Sequence, residues 1–236
     1  MKETVKSIQT TVRALADKEI AQHSQRFFKT GKGEYGEGDI FLGIRVPVIR
    51  KIAKQFKSMP IQEIEKLLQS KYHEERLLAV ILMVNLSKKA NEKQQKELYT
   101  TYLSNTHKIN NWDIIDSSAP DIVGKYLFDK NTKPLYTLAN SNSLWEKRIS
   151  ILATFYFIKF NKYEDALKIA EIMLPEEHDL IHKATGWMLR EIGNRDIETE
   201  EKFLKPHYKS MPRTMLRYAI EKFPETKRKK YLHGEI

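Results

Sequence analysis

Along this chain apolar residues return every three or four positions far more often than every second one. From Ile61 to Leu68 they fall at Ile61, Ile64, Leu67 and Leu68, one stripe of a 3.6-residue helix. From Tyr163 to Met173 the same spacing runs through Ala166, Leu167, Ile169, Ala170 and Met173. Between Glu75 and Val84 the apolar residues crowd most of the circumference, which predicts a helix buried on more than one side. No strand-like alternation persists, and no Asn-Gly or Asp-Gly pair marks a hairpin. Breakers separate the helices. Gly31 to Gly38 reads as a glycine-punctuated loop, Ser58 as the N-cap of the helix after Pro60, and Pro134, Pro175, Pro206 and Pro212 as other starts or ends.

The helices that look buried open near Glu75, Trp112, Trp145, Ile181 and Pro212. Their spacing of roughly 31–37 residues suits a two-helix repeat. A helix pair cannot cover its own apolar face, so stacked neighbours complete the core and leave a concave binding surface. The expectation is an all-α, HEAT-like helical-repeat solenoid (an α–α superhelix) with a concave basic face. Because the period is irregular, a plain multi-helix bundle is the alternative. No linker is evident, so residues 1–236 read as a single domain.

Charge adds a partner to this picture. Lys and Arg number 41 against 31 Asp and Glu, a formal charge of +10. Such an excess suits a polyanion, or simply a well-solvated basic surface. There is no cysteine, which excludes disulfides and thiolate metal sites. The N-terminal segment has no apolar core of a signal peptide, and no apolar stretch is long enough to span a bilayer. The chain therefore reads as soluble and cytoplasmic, with no membrane partner. The basic run Lys227 to Lys230 is either a frayed, solvated terminus or a phosphate contact.

Three segments carry candidate chemistry. Trp112 and Asp116 are four residues apart, so a helix places them on one face, with Ile114 and Ile115 turned to the core. An indole face attracts a cation and a carboxylate stabilises positive charge; a core tryptophan beside a surface aspartate is the ordinary alternative. Trp145-Glu146-Lys147-Arg148 opens a second buried helix, where Trp145 is expected in the core and Arg148 suits a phosphate. Lys183, Trp187 and Arg190 share a face of a third, alternating cationic and aromatic groups as nucleic-acid surfaces do. Arg190 serves equally well as an ion-pair partner. Other chemistries lack their motifs. The glycines between residues 31 and 38 form no phosphate loop, the seven histidines form no HExxH pair, and no serine sits in a nucleophile elbow. No metal or cofactor is expected.

Read together, Phe41-Leu42-Gly43-Ile44-Arg45-Val46-Pro47, Trp112-Asp113-Ile114-Ile115-Asp116, Leu144-Trp145-Glu146-Lys147-Arg148, Lys183 to Glu191 and Met211-Pro212-Arg213 resemble the AlkD family of HEAT-like-repeat DNA glycosylases. Their order and spacing extend the likeness over nearly the whole chain. The resemblance implies a monofunctional enzyme of base excision repair acting on duplex DNA that contains N3- or N7-alkylated purines; a monomer is the default expectation. It implies Asp116 as the catalytic carboxylate and Trp112 and Trp187 as the aromatic groups around the damaged nucleotide's sugar. Arg148 would contact the backbone beside the lesion, with Lys147, Lys183, Arg190, Arg45 and Arg213 as further DNA contacts. A Schiff-base role for Lys183 is less simple than phosphate binding. The family often has an aromatic residue where this chain has Asn111, which alters the expected shape of that side of the cleft. The reading depends on Asp116 and the two indoles converging in a cationic groove. A non-catalytic HEAT-repeat protein that binds damaged or structured DNA is the competing reading, and a protein-interaction scaffold is a third.

Overall fold

The computed structural model describes residues 3–236. Among these residues there are helices and no strand; one isolated bridge pairs Ile40 with Tyr72. The chain forms two compact units, divided between Ser118 and Ala119.

The first unit holds α1 (Val5–Arg13), α2 (Lys18–Phe27), α3 (Val46–Gln55), α4 (Ile61–Leu68), α5 (His73–Ser87), α6 (Glu92–Ser104) and α7 (Trp112–Asp116). α5 is its axis. Leu77 to Val84 are all buried, and α3, α4, α6 and α7 pack around it. That is why its apolar residues occupy the whole circumference. The outer helices are one-sided: α4 buries Ile64, Leu67 and Leu68 and turns its polar residues outward. The cap of α4 differs from expectation. Pro60, in extended conformation, is the N-cap, with no side-chain hydrogen bond, because its fixed φ already suits a helix start. Ser58 stands outside the helix and gives its N–H to Glu3.

In the Phe41 to Pro47 motif Gly43 has φ +82°, and a Cβ there would lie 2.0 Å from the Asp17 carbonyl oxygen. Only glycine permits that conformation and that approach. α7 is short because Pro120 carries no N–H, so the regular ladder cannot continue through it. The backbone resumes as a wider π-type turn over Pro120–Gly124.

The second unit continues with α8 (Lys125–Leu127), α9 (Lys133–Ala139), α10 (Leu144–Ile158), α11 (Glu164–Ile172), α12 (Asp179–Gly193), α13 (Ile197–His207), α14 (Arg213–Ala219) and α15 (Glu225–His233). α9 packs on α10, α11 on α10 and α12, and α13 and α14 both on α12. α10, α12 and α14 lie side by side as an inner row, and α9 and α11 pack behind. This is the stacked two-helix repeat that the spacing predicts. The row is tight: a Cβ on Gly186 of α12 would fall 2.4 Å from the Met215 carbonyl oxygen of α14. The basic run Lys227 to Lys230 belongs to α15, with Arg228 and Lys229 paired to Glu225 and Lys227 to Glu201. It is not a frayed end.

Candidate functional site

In the first unit the Trp112–Asp116 pair stands as the spacing predicts. Ile114 and Ile115 are fully buried and anchor α7, while Trp112 and Asp116 lie half-buried on its other side. Asn111 caps the helix, its side-chain oxygen accepting from the Trp112 N–H at 2.8 Å. Asn111 is itself buried, so replacing an aromatic there changes what lies behind α7. The indole of Trp112 stacks on Phe28 at 5.3 Å between ring centroids and meets the edge of the exposed Phe27 at 6.1 Å. Phe28 stacks in turn on Phe41 at 5.0 Å, and Phe41 on the imidazole of His73 at 4.4 Å. Offset ring stacking of this kind fixes ring orientation as well as burying area. Asp116 also reaches Tyr102 electrostatically. Burial raises the Tyr102 hydroxyl's pKa, the Ser118 hydrogen bond opposes this, and the Asp116 charge adds to the rise.

Behind this column lies a cluster of buried charge at the start of α5. His73, Glu74, Glu75 and Arg76 are consecutive and all buried. Glu74 accepts three backbone N–H groups, from Leu42 and Gly43 at 2.8 Å and from Ile44 at 3.1 Å. Glu75 is gripped by Arg13 at 2.7 and 3.2 Å and by Ser70 at 2.6 Å. Both carboxylates gain from the positive end of the helix dipole. His73 bridges two acids: Nε2 lies 2.9 Å from Asp113 and Nδ1 3.3 Å from Asp39. Asp39 also accepts from Arg76 at 2.6 Å and from Asn111 at 3.2 Å. Burial alone would depress the His73 pKa. The charges and hydrogen bonds of Asp113 and Asp39 outweigh it and raise the value to about 9. Burial likewise works against ionised Asp39, but His73 and Arg76 hold its pKa below the ordinary value. The result is two cations and two carboxylates in one buried network.

The second unit carries the other expected residues. Trp187 lies half-buried on α12, its indole N–H donating to Glu191 at 3.2 Å. Its ring meets Phe155 of α10 at 5.9 Å. Lys159 lies 4.7 Å and Arg195 6.0 Å from the Phe155 centroid, and Arg195 pairs with Glu191 at 2.9 Å. Two aromatic rings flanked by two cations form one patch.

Most of the expected DNA contacts have protein partners. Arg148 is 4% exposed and donates to the Leu180 carbonyl, tying α10 to α12. Lys147 pairs with Glu176, Lys183 with Asp179 at 2.7 Å, and Arg190 with Glu221. Arg213 is exposed and donates to the Leu232 carbonyl at 3.0 Å. Arg45 is exposed beside a shallow depression lined by Glu19, Ile20, His23 and Ser24. Trp145, expected in the core, is only half-buried. No group of three His, Asp or Glu among the described residues is arranged to hold a metal ion, and no described helix is long and apolar enough to cross a membrane.

Sequence reading missed the Phe27–Phe28–Phe41 column, the Asp39–His73–Asp113 bridge and the Phe155 patch. Two signals were available. Four ionisable residues in a row at the head of a buried helix require buried partners. Polar partners also recur about one repeat apart: His73–Asp39 are separated by 34 residues, Arg148–Leu180 by 32 and Arg190–Glu221 by 31.

These features define a class: an all-helical repeat protein with an aromatic–carboxylate pair on a short helix and, on another, a tryptophan beside a cation-flanked phenylalanine. The family model described as DNA alkylation repair enzyme matches residues 8–223, and the chain belongs to that family. Among solved structures it resembles a predicted DNA alkylation repair enzyme from Enterococcus faecalis, at 17% identity and a TM-score of 0.69 over 89% of this chain and 97% of that one. It also resembles AlkD2 from Streptococcus mutans, at 19% identity and a TM-score of 0.53 over 94% and 97%. At such identities the likeness is one of fold. Among curated proteins none matches significantly.

Proposed function

We propose that this protein is a monofunctional DNA glycosylase that frees N3- and N7-alkylated purines from duplex DNA, as the first step of base excision repair. It acts as a cytoplasmic monomer without a cofactor, with residues 1–236 as a single HEAT-like repeat domain. The observation that carries this reading is the Trp112–Asp116 pair, one turn apart on α7 above two buried isoleucines.

An alkylated purine is already cationic, so it leaves without a general acid. The bond from C1′ to the base nitrogen breaks and both electrons go with the base, which departs neutral. The sugar becomes an oxocarbenium ion. The Asp116 carboxylate stabilises that charge, and the electron-rich face of Trp112 adds to it. Water then bonds to C1′ and releases a proton, leaving an abasic site. Trp187 and Phe155 supply stacking surface for the nucleic acid, with Lys159 and Arg195 beside them. Lys183 exchanges its exposed pair with Asp179, worth little, for a phosphate, Lys147 and Arg190 give up part-buried pairs for theirs, and the exposed Arg45 and Arg213 meet phosphates without leaving an acidic partner. Arg148, buried and bonded to the Leu180 carbonyl, serves the backbone contact beside the lesion indirectly, by holding α10 against α12.

The test is mass spectrometry of bases freed from methylated duplex DNA. Asp116→Asn is expected to keep DNA affinity within about twofold and to lose about 10²- to 10³-fold in release rate, the scale of one preorganised charge-stabilising group. Full activity in that variant removes Asp116 from the reaction. Salt-sensitive DNA binding with no base freed by the wild-type protein establishes the non-catalytic reading instead.

A further inference from the structure

α7 has five residues, too few to hold a helix by its own hydrogen bonds. Something else must set its rotation, because one residue of slippage turns a helix face by about 100°. Ile114 and Ile115 fasten its buried side, and Asn111 caps its start. A third tie comes from Asp113. One of its oxygens accepts from the Ile114 N–H at 2.9 Å, and the other meets His73 Nε2 at 2.9 Å. His73 belongs to α5, the axis of the unit, and its Nδ1 is held by Asp39. It therefore reaches the Trp112–Asp116 face by two routes, through Asp113 and through the ring column Phe41–Phe28–Trp112.

We infer that His73 is a positioning residue, which by bridging Asp39 and Asp113 fixes the orientation in which α7 presents Trp112 and Asp116. The inference rests on the glycosylase reading for its kinetic consequence, but not for its structural one. His73 is 1% exposed and both ring nitrogens have carboxylate partners, so it is no proton donor to substrate. The charged groups that face the network are Asp113 from α7, Asp39 from the loop before α3, and Arg76 and Glu74 from α5 itself. With the imidazole doubly protonated, each carboxylate receives an N–H. Loss of either proton, as pH passes about 9, turns a lone pair toward a buried carboxylate and releases the tie.

Two measurements on the intact protein test this. The first is the pH profile of single-turnover base release for wild type and His73→Gln, with DNA affinity alongside. Wild type is expected to lose activity above pH about 9. His73→Gln is expected to be at least tenfold slower at pH 7.5 with affinity within twofold, and to lack the alkaline limb. A folded His73→Gln with the wild-type rate and profile overturns the inference. The second needs no catalysis: NMR of ¹⁵N-histidine-labelled protein, with amide exchange of Ile115 and Ser117. His73 is expected to titrate near 9 and markedly lower in Asp113→Asn. The α7 amides are expected to exchange at least tenfold faster in Asp113→Asn and in His73→Gln. Ordinary titration of His73, or unchanged exchange in Asp113→Asn, overturns the inference even if His73→Gln does not fold. Should wild type free no base, the glycosylase reading falls while the exchange result still decides this one.

Discussion

Glu200 offers a prediction that runs against the usual direction of mutation. It lies on α13, 1% exposed, with its carboxylate against Gly193 of α12, the helix that carries Trp187. Burial, reinforced by the charge of Glu201 and opposed by Arg190, raises its pKa from 4.5 to about 9. In the unfolded chain it ionises freely above pH 4.5. Between 4.5 and 9 the unfolded state therefore holds fewer protons than the folded one, and stability falls as pH rises. Each pH unit is worth about 1.4 kcal/mol, so by pH 7 the cost relative to a permanently neutral group is about 3 kcal/mol. Glu200→Gln supplies that neutral group in nearly the same volume. Its amide inherits a position where Oε1 has no hydrogen-bond partner, which offsets about 1 kcal/mol or more. The expected outcome is little change or a small loss near pH 4.5, and a gain of about 1–2 kcal/mol at pH 7 that keeps growing toward pH 9. The assay is urea unfolding of both proteins at half-unit steps from pH 4.5 to 9, following the transition of the second unit. Titration of His73 cancels, because only the difference between the two proteins is used. A difference that stays constant across the range shows that Glu200 is ionised in the folded state and sinks the reasoning.

Two further substitutions probe the supports of each unit. Glu74→Gln keeps one acceptor for the Leu42, Gly43 and Ile44 N–H groups but turns an amide NH₂ toward another donor. With the amide oxygen serving Gly43 and Ile44, loss of the charge-assisted Leu42 bond is expected to cost the first unit about 2 kcal/mol, seen as a shifted urea midpoint; a midpoint unchanged from wild type would show the carboxylate to be dispensable. Phe155→Ala removes the ring beneath Lys159 and beside Trp187. One lost stacking surface is worth about 1–3 kcal/mol, so DNA affinity is expected to fall roughly five- to a hundredfold while base release from bound DNA persists. Equal affinity in a filter or anisotropy titration would take the patch out of the DNA-binding surface.

The network at the head of α5 shows why such tests separate structure from chemistry. Four adjacent ionisable side chains are buried there and held in three ways: Glu74 by backbone, Glu75 by Arg13 and Ser70, and His73 and Arg76 by carboxylates, with the Arg76 Nε left without a partner. Removing one member leaves its partners charged and unpaired in a poorly polarisable interior, and this penalty exceeds the worth of the bond itself. Polar-to-amide changes such as His73→Gln and Glu74→Gln limit that penalty, whereas alanine at the same positions would confound it.

The order of helices was legible because it is a local property. Apolar spacing places buried helices near Glu75, Trp112, Trp145, Ile181 and Pro212, and the structure opens them at His73, Trp112, Leu144, Asp179 and Arg213. The sharing of one face by Trp112 and Asp116 follows from 3.6-residue geometry alone. What a charged side chain faces is not local. Spacing suits Arg148 to a phosphate and Arg190 equally to a phosphate or an ion pair, but it does not reveal Glu176 beside Lys147, the Leu180 carbonyl beside Arg148 or Glu221 beside Arg190, each about one repeat further along the chain. His73 and Asp113 are 40 residues apart, and the motif that contains Asp113 gives it no role and no partner. Their pairing exists only because α7 packs on α5. Periodicity reports which side of a helix is dry. Which buried charges meet on that side depends on how neighbouring helices are laid together, since the cost of an unpaired interior charge is settled only once the tertiary contacts have formed.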